Sequence, residues 1–545
     1  MSDPLETTFQ FLAKTENAAA RDILAAGLEC SDPITRLGAL RAILDRRDPE
    51  GHREVFRRLT SLDKQGREIV AERSERLVDA ARDALSSPNR KVCAAACDAI
   101  ASFHLYQVIP ALVAALVDTE NPHTDLPAAA ILKLTEAFYE ELSGVADRPK
   151  QKAQDTVRAR MTTSLEEAVR KYHRHERLEP VEALLLVAKQ KNAVLRQLLQ
   201  RTEEKSHPAI LEVLSNSSQG GVIRLLLGFL EDPQMPRAVT DVICNRCDAK
   251  FVDNITRTVG TKPSRAAIET LKRFESIAWA KPGHEVFNEL DDDAQEGAVW
   301  LLMFSSLNPD DKLEVVGYLL LHGKIGGRRA AAKALAKLKG PRANELAVEA
   351  VEDDDPQVRA TIIPQLRSRK IPGALSMLIG MVDSTDETIH EALRTAMPEF
   401  TFRHFLSNFD AMPEAMQPVS GHLVSKIDSG AVEKLTEEMS CLSPVRRRKA
   451  VQAAFAMGLV GAVEKAIATL LSDEDHMVRI AAAKALADSN SMPSWEALRD
   501  ALLDRSVIVQ EAAERSLEMI SRSLMIQEED EEGEAAEADS QEVAQ

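Results

Sequence analysis

The stretch VRIAAAKAL at 478–486 decides how this chain folds. Counting Val478 as zero, small or apolar residues stand at +3, +4, +7 and +8, which trace one face of an α-helix. The same nine-residue phrase returns as VQEAAERSL at 509, VRATIIPQL at 358, IHEALRTAM at 389, GRRAAAKAL at 327 and RRKAVQAAF at 447. Weaker copies are VCAAACDAI at 92, SHPAILEVL at 206, MPRAVTDVI at 235 and PSRAAIETL at 263. With positions 35, 124, 177, 296 and 416 added, eleven of the fourteen spacings fall between 28 and 33 residues and six are 31. A register held over so many cycles is an internal repeat, so the chain reads as one repeat array. The spacings of 57 and 53 are each expected to hide a degenerate repeat, the second with a polar insertion near 144–160, and that of 27 before Met416 a shortened turn.

Each unit is expected to hold two helices. Proline opens the first, as in IPALVAAL at 109–116 and IPGALSML at 371–378, because its missing N–H needs no partner in a first turn. An Asp-rich turn follows, with Asp118, Asp232, Asp353 to Asp355, Asp383, Asp473 and Asp504. Such carboxylates can cap the second helix, which is the nine-residue phrase. One hairpin cannot bury both of its faces, so the +3, +4, +7 and +8 residues must pack on neighbouring units. Alanine at these positions lets helices approach to the near end of the usual ~8–10 Å.

The phrases DDDPQVR at 353–359 and DEDHMVR at 473–479, the latter followed by IAAAKAL, resemble HEAT repeats, most closely the short bacterial class also found in phycobilin lyases. The resemblance spans most of 18–525 and is strongest over 293–525. It implies an all-α fold, an α-α superhelix of about 15–16 hairpins. The expected organisation is a cap helix in 1–17, repeats over 18–140, an insertion or degenerate repeat over 141–175, further repeats over 176–292, the most regular repeats over 293–526, and a disordered acidic tail at 527–545. That tail holds nine carboxylates and no Lys or Arg, half of the chain's net charge of −18.

Composition narrows the function. A mildly acidic body with three Trp lacks the basic balance of a nucleic-acid binder, so nucleic acid is not the expected partner. No apolar run approaches the ~18 residues that cross a bilayer, and the amino-terminal residues do not read as a signal peptide. Six cysteines in 545 residues are too few for a disulfide-stapled secreted domain, which places the protein in the reducing cytoplasm.

His-Glu pairs at His175, His284 and His390 resemble the iron-holding pairs of the HEAT-like deoxyhypusine hydroxylases, but they fall in different phases of the repeat and are not expected to converge. Cys244 and Cys247 have the spacing of half a zinc site, while Cys93 and Cys97 sit on an Ala-rich helix as small apolar residues. No metal, cofactor or catalytic residue is expected. The most informative surface feature is a basic row at +1, formed by Arg328, Arg359, His390, Arg448 and Arg479, with Arg329 and Lys449 beside it. Either each cation pairs with an Asp of the interhelix turns, such as Asp354 or Asp475, or the row grips an acidic partner. The expected function is a non-enzymatic scaffold that binds protein partners along the solenoid, with those seven residues as the candidate contact. The alternatives are an enzyme on the same scaffold, bilin-lyase-like or a metal hydroxylase, and a DNA-binding protein like the HEAT-like alkylpurine glycosylases.

Overall fold

A computed structural model describes residues 4–143 and 148–522, the side chains of 143 and 148–150 excepted. The acidic tail therefore lies outside the described residues. Among the described residues the regular structure is helical and there is no strand. The chain divides into two compact units, Met1–Val315 and Val316–Gln545.

The second unit follows the sequence pattern closely. Helices Ile325–Leu335, Pro356–Ser368, Glu387–Ala396, Met416–Ile427, Pro444–Ala456 and His476–Leu486 form one layer, each packed on the next. Helices Pro341–Glu349, Ala374–Gly380, Phe402–Asn408, Ala431–Met439, Glu464–Leu470 and Met492–Ala501 alternate with them. Asp355, Asp386 and Asp475 cap their helices by accepting the N–H of Gln357, Thr388 and Met477. The +8 residues Leu335, Leu366, Met397 and Leu486 are fully buried, each contributing about 1.5–3 kcal/mol of transfer free energy.

Small residues set the spacing. Ala330, Ala331, Ala334, Ala450, Ala453, Ala454, Ala482 and Ala483 are all inaccessible to solvent. Within the second unit the closest approach is at Gly421, where an added Cβ would lie 2.3 Å from the Ala456 carbonyl oxygen.

Two register assignments need correction here. In RRKAVQAAF the cap is Ser443, so the fully buried +8 residue is Ala454 and Phe455 is exposed; the phrase starts one residue earlier than its arginines suggest. In Met416–Ile427 the buried face is Gly421, Val424 and Ile427, and Met416 itself is exposed. Pro372 is likewise not a helix opener: Gly373, at φ +75°, intervenes before Ala374–Gly380.

The first unit departs from a single register. Helix Glu179–Val187 packs on Asp125–Ser143 and on Gly220–Leu230, and the layer continues through Ala249–Val259 to Asp292–Phe304. Helices Ser206–Asn216 and Arg237–Asn245, which carry the phrases at 206 and 235, pack on one another outside that run. The phrase therefore changes layer near 206 and returns at 296. An Ala-rich amphipathic helix can serve either layer, so periodicity alone does not say which. At the other end of this unit, helix Pro4–Lys14 lies on Pro33–Asp45, with the Phe9 ring filling the space over Gly38. Arg46 holds the chain after it by donating to the carbonyls of Leu12 and Thr15 at 2.9 and 2.7 Å.

The Gly421 contact leads to a direct test. Gly421→Ala forces a methyl group against backbone and is expected to cost about 1–3 kcal/mol in urea unfolding. Gly461→Ala, where nothing lies within 4 Å, should stay within ~0.5 kcal/mol of the parent.

Candidate partner-binding surface

The basic row turns largely inward. Arg479 is only 3% exposed. Its Nε and Nη2 donate to the two carboxylate oxygens of Asp504 at 2.8 and 3.0 Å. Its Nη1 donates to the carbonyls of Asp473 and Glu474 at 2.8 and 3.2 Å. One guanidinium thus closes the turn before its own helix and clamps the turn of the next repeat. Arg447 repeats the pattern, with Asp473 at 2.6 and 2.8 Å and the carbonyls of Cys441 and Leu442 at 2.9 and 3.0 Å. Arg328 pairs with Asp353 at 3.0 Å and donates to the Gly323 carbonyl. In the first unit Arg36 does the same with Asp63 at 2.8 Å and the Cys30 carbonyl.

These arginines share one position, four residues past the residue that precedes the helix. Counted so, Arg447 takes the place expected for Arg448. The expected acids also shift by one repeat. Asp354 is exposed and Asp475 caps its own helix, whereas the acids engaged are Asp353, Asp473 and Asp504. Sequence reasoning left Arg447 out of the row and, although it placed Asp353, Asp473 and Asp504 in the interhelix turns, it named Asp354 and Asp475 as the examples of partners. Counting from the capping residue, instead of from the apolar phrase, would have aligned them.

The other row members are placed as follows. Arg329 donates to Asp355 at 2.5 and 3.1 Å, and Lys449 to Asp410 at 2.7 Å. His390 Nε2 lies 2.6 Å from the Ser384 carbonyl. Arg359 and Arg448 make no side-chain hydrogen bond among the described residues, although the Nε of each is buried. For Arg359 the reason is visible: Ser384 stands where the other turns carry Asp353, Asp473 or Asp504, two residues before the capping residue.

The acids are matched to this role. Burial alone would raise the carboxyls of Asp473 and Asp504, but hydrogen bonds from Arg447 and Arg479 and from the backbone N–H groups of Asp475 and Ser506 hold them below the usual range. Asp355 is held down first by Arg329.

The model of HEAT repeats matches residues 314–397 and 432–518. Over these residues the chain carries HEAT repeats. The stretch between the two matches holds Met416–Ile427, the helix whose buried face is displaced. No curated protein matches the chain in sequence. Among solved structures, the helical repeats align with a homology model of the AP-3 complex at 14% identity, over 97% of this chain and 96% of that one, with a TM-score of 0.39. Kap121p aligns at 11% identity over 96% of this chain and 57% of that one, with a TM-score of 0.31. Human deoxyhypusine hydroxylase aligns at 15% over 55% and 96%, with a TM-score of 0.16. TM-scores this low say nothing of partners or activity.

The His-Glu pairs bind their own backbone. His175 Nε2 meets the Ala168 carbonyl at 3.0 Å, and His284 Nδ1 accepts from the Val286 N–H at 3.2 Å. Cys244 is buried, which pushes its thiol up to about 12. Among the described residues no three His, Cys, Asp or Glu side chains are close enough to hold a metal ion together.

The last repeats also expose large apolar side chains. Val445, Met477 and Ile508 occupy one equivalent position, two residues past the residue preceding the helix, in the last three repeats, and all are exposed. Beside them stand Leu442 and Leu503, 98% and 88% exposed, and Val507.

The clamp has two measurable consequences. Arg479→Gln leaves Asp504 without its counter-charge and is expected to cost about 3–5 kcal/mol by urea unfolding. Because the folded carboxyls titrate below their unfolded value of ~3.9, their contribution is complete above about pH 4 and is lost as pH falls through the folded value. The stability-versus-pH curve should therefore drop below about pH 4, and less steeply in Arg447→Gln/Arg479→Gln. Conversely, Ser384→Asp gives Arg359 its missing acceptor and should add about 1 kcal/mol.

Proposed function

We propose that the chain is a non-enzymatic HEAT-repeat scaffold that holds a protein partner on the turn edge of its last three repeats. One observation carries this reading: large apolar side chains recur, exposed, at the same position of consecutive repeats. Second helices pack side by side at roughly 8–10 Å, so Val445, Met477 and Ile508 form a row on that pitch. An exposed apolar stripe is unfavourable in water and, bordered by polar residues, has the make-up of an interface core. Leu442, Leu503 and Val507 widen it.

The basic row supports this reading only in part. Arg328, Arg329, Lys449 and Arg479 direct donors to carboxylates of this chain, and His390 is engaged by a backbone carbonyl. Arg359 and Arg448 keep donors that an acidic group of a partner could accept. A reducing cytoplasm suits the six unpaired thiols.

The test is capture from host lysate at ~0.15 M salt, comparing the parent chain with Val445→Asp/Met477→Asp/Ile508→Asp, folding being checked by circular dichroism. The expected result is a protein that the parent retains and the triple variant loses. Equal capture by both removes the row as the contact, and copurifying nucleic acid in place of protein overturns the scaffold reading.

A further inference from the structure

One junction of the second unit is shaped for the clamp and lacks its acid. Arg359 stands four residues past the capping Asp355, as Arg479 stands four past Asp475. Arg479 reaches the carboxylate 25 residues on, and Arg447 the one 26 residues on. The residue 25 past Arg359 is Ser384.

This serine keeps the rest of the aspartate's part. Asp353, Asp473 and Asp504 each accept, through Oδ1, the N–H of the residue two positions later, at 2.8, 2.9 and 2.7 Å. Ser384 Oγ accepts the Asp386 N–H in the same way at 3.3 Å. His390 holds the Ser384 carbonyl as Arg479 holds that of Asp473. The turn is therefore built like the others, with a hydroxyl in place of the charge.

The arginine is in position to use such a charge. Helices Pro356–Ser368 and Glu387–Ala396 pack directly on one another. The Asp386 carboxyl is held below the usual range first by the Thr388 hydroxyl, and the Arg359 charge lowers it further, so the guanidinium acts on this turn. The Arg359 Nε is buried without an acceptor. The Ser384 hydroxyl donates to no described residue, and its neighbours Asp383 and Thr385 are exposed, which leaves the turn open to an enzyme.

Phosphorylation gives a serine negative charge and three acceptor oxygens, which an arginine fork can take up. Transfer of the γ-phosphoryl group of a nucleoside triphosphate to Ser384 Oγ forms one P–O bond and breaks the bond to the β-phosphate. The hydroxyl proton is released and a nucleoside diphosphate leaves. Crowding by acids does not forbid the charge here, because the equivalent turn carries three successive aspartates, of which Asp353 and Asp355 pair with Arg328 and Arg329. We propose that Ser384 is a phosphorylation site for a protein kinase that accepts a serine among acidic residues, and that its phosphate closes this junction on Arg359.

Two measurements on the full chain test this. Mass spectrometry of the protein isolated from growing and from resting cells should find tryptic fragments 371–394 with one phosphate, on Ser384. Urea unfolding of a chain with phosphoserine installed at 384 during translation should give a folding constant at least ~10-fold above the parent's. Arg359→Gln removes no hydrogen bond of the unmodified chain, so it should fold as the parent does and show no gain from the phosphate. Arg359→Lys, which keeps the charge and loses the fork, should show a smaller gain. Phosphoserine installed at the exposed position 385 should give none. The proposal is overturned if the fragment carries no phosphate or carries it on Thr385 or Thr388 alone, if phosphoserine at 384 does not stabilise the parent, or if it stabilises Arg359→Gln equally.

Discussion

In three repeats of the second unit an arginine set one turn into a helix (Arg328, Arg447 or Arg479) joins its repeat to the next. Its guanidinium reaches back to carbonyls that the preceding turn leaves without partners, and forward to a carboxylate in the following turn. A repeat array has no distant contacts to hold it, so the interface between neighbours carries the stability. Burying an ion pair returns little net energy over a well-packed apolar pair, because desolvation is expensive. What it provides is selectivity: any stagger that separates Arg479 from Asp504 leaves two buried charges unpaired. Alanine faces can slide over one another, and the clamp removes that freedom.

The same arrangement explains where a partner contact is to be sought. Charges used within the molecule are not available to a ligand, and most of the cationic row is used in this way. The side chains left with unmet needs are different ones: the apolar row of Val445, Met477 and Ile508, and the arginines lacking a carboxylate. At Arg359 the cause is a single serine in the next turn. An arginine without an acid stands out in a protein where most buried arginines have one.

The helical repeat, its period and the alanine face were legible in VRIAAAKAL and its copies, because periodicity of 3.6 and spacing near 31 are written along the chain. So was the presence of an Asp–Arg relationship. Its direction was not. Asp475 is close to Arg479 in sequence, yet the carboxylate engaged is Asp504, since Asp475 accepts the Met477 N–H as a cap and stacking brings the next turn within reach of the guanidinium. A shift of one residue at Ser443 likewise exchanged Arg448 for Arg447, because the cap, and not the apolar phrase, sets where a helix begins.

In the first unit the limits are plainer. The phrases at 206 and 235 have the same amphipathic form as those at 92 and 124, but lie in the other layer. Local sequence specifies that a helix has an apolar face; which layer that face joins depends on how neighbouring helices stack. By itself, then, the sequence determined an all-helical repeat chain with capped second helices and small-residue seams. Tertiary packing alone decided which charges cancel and which apolar residues remain in water, because those outcomes depend on distances between residues tens of positions apart.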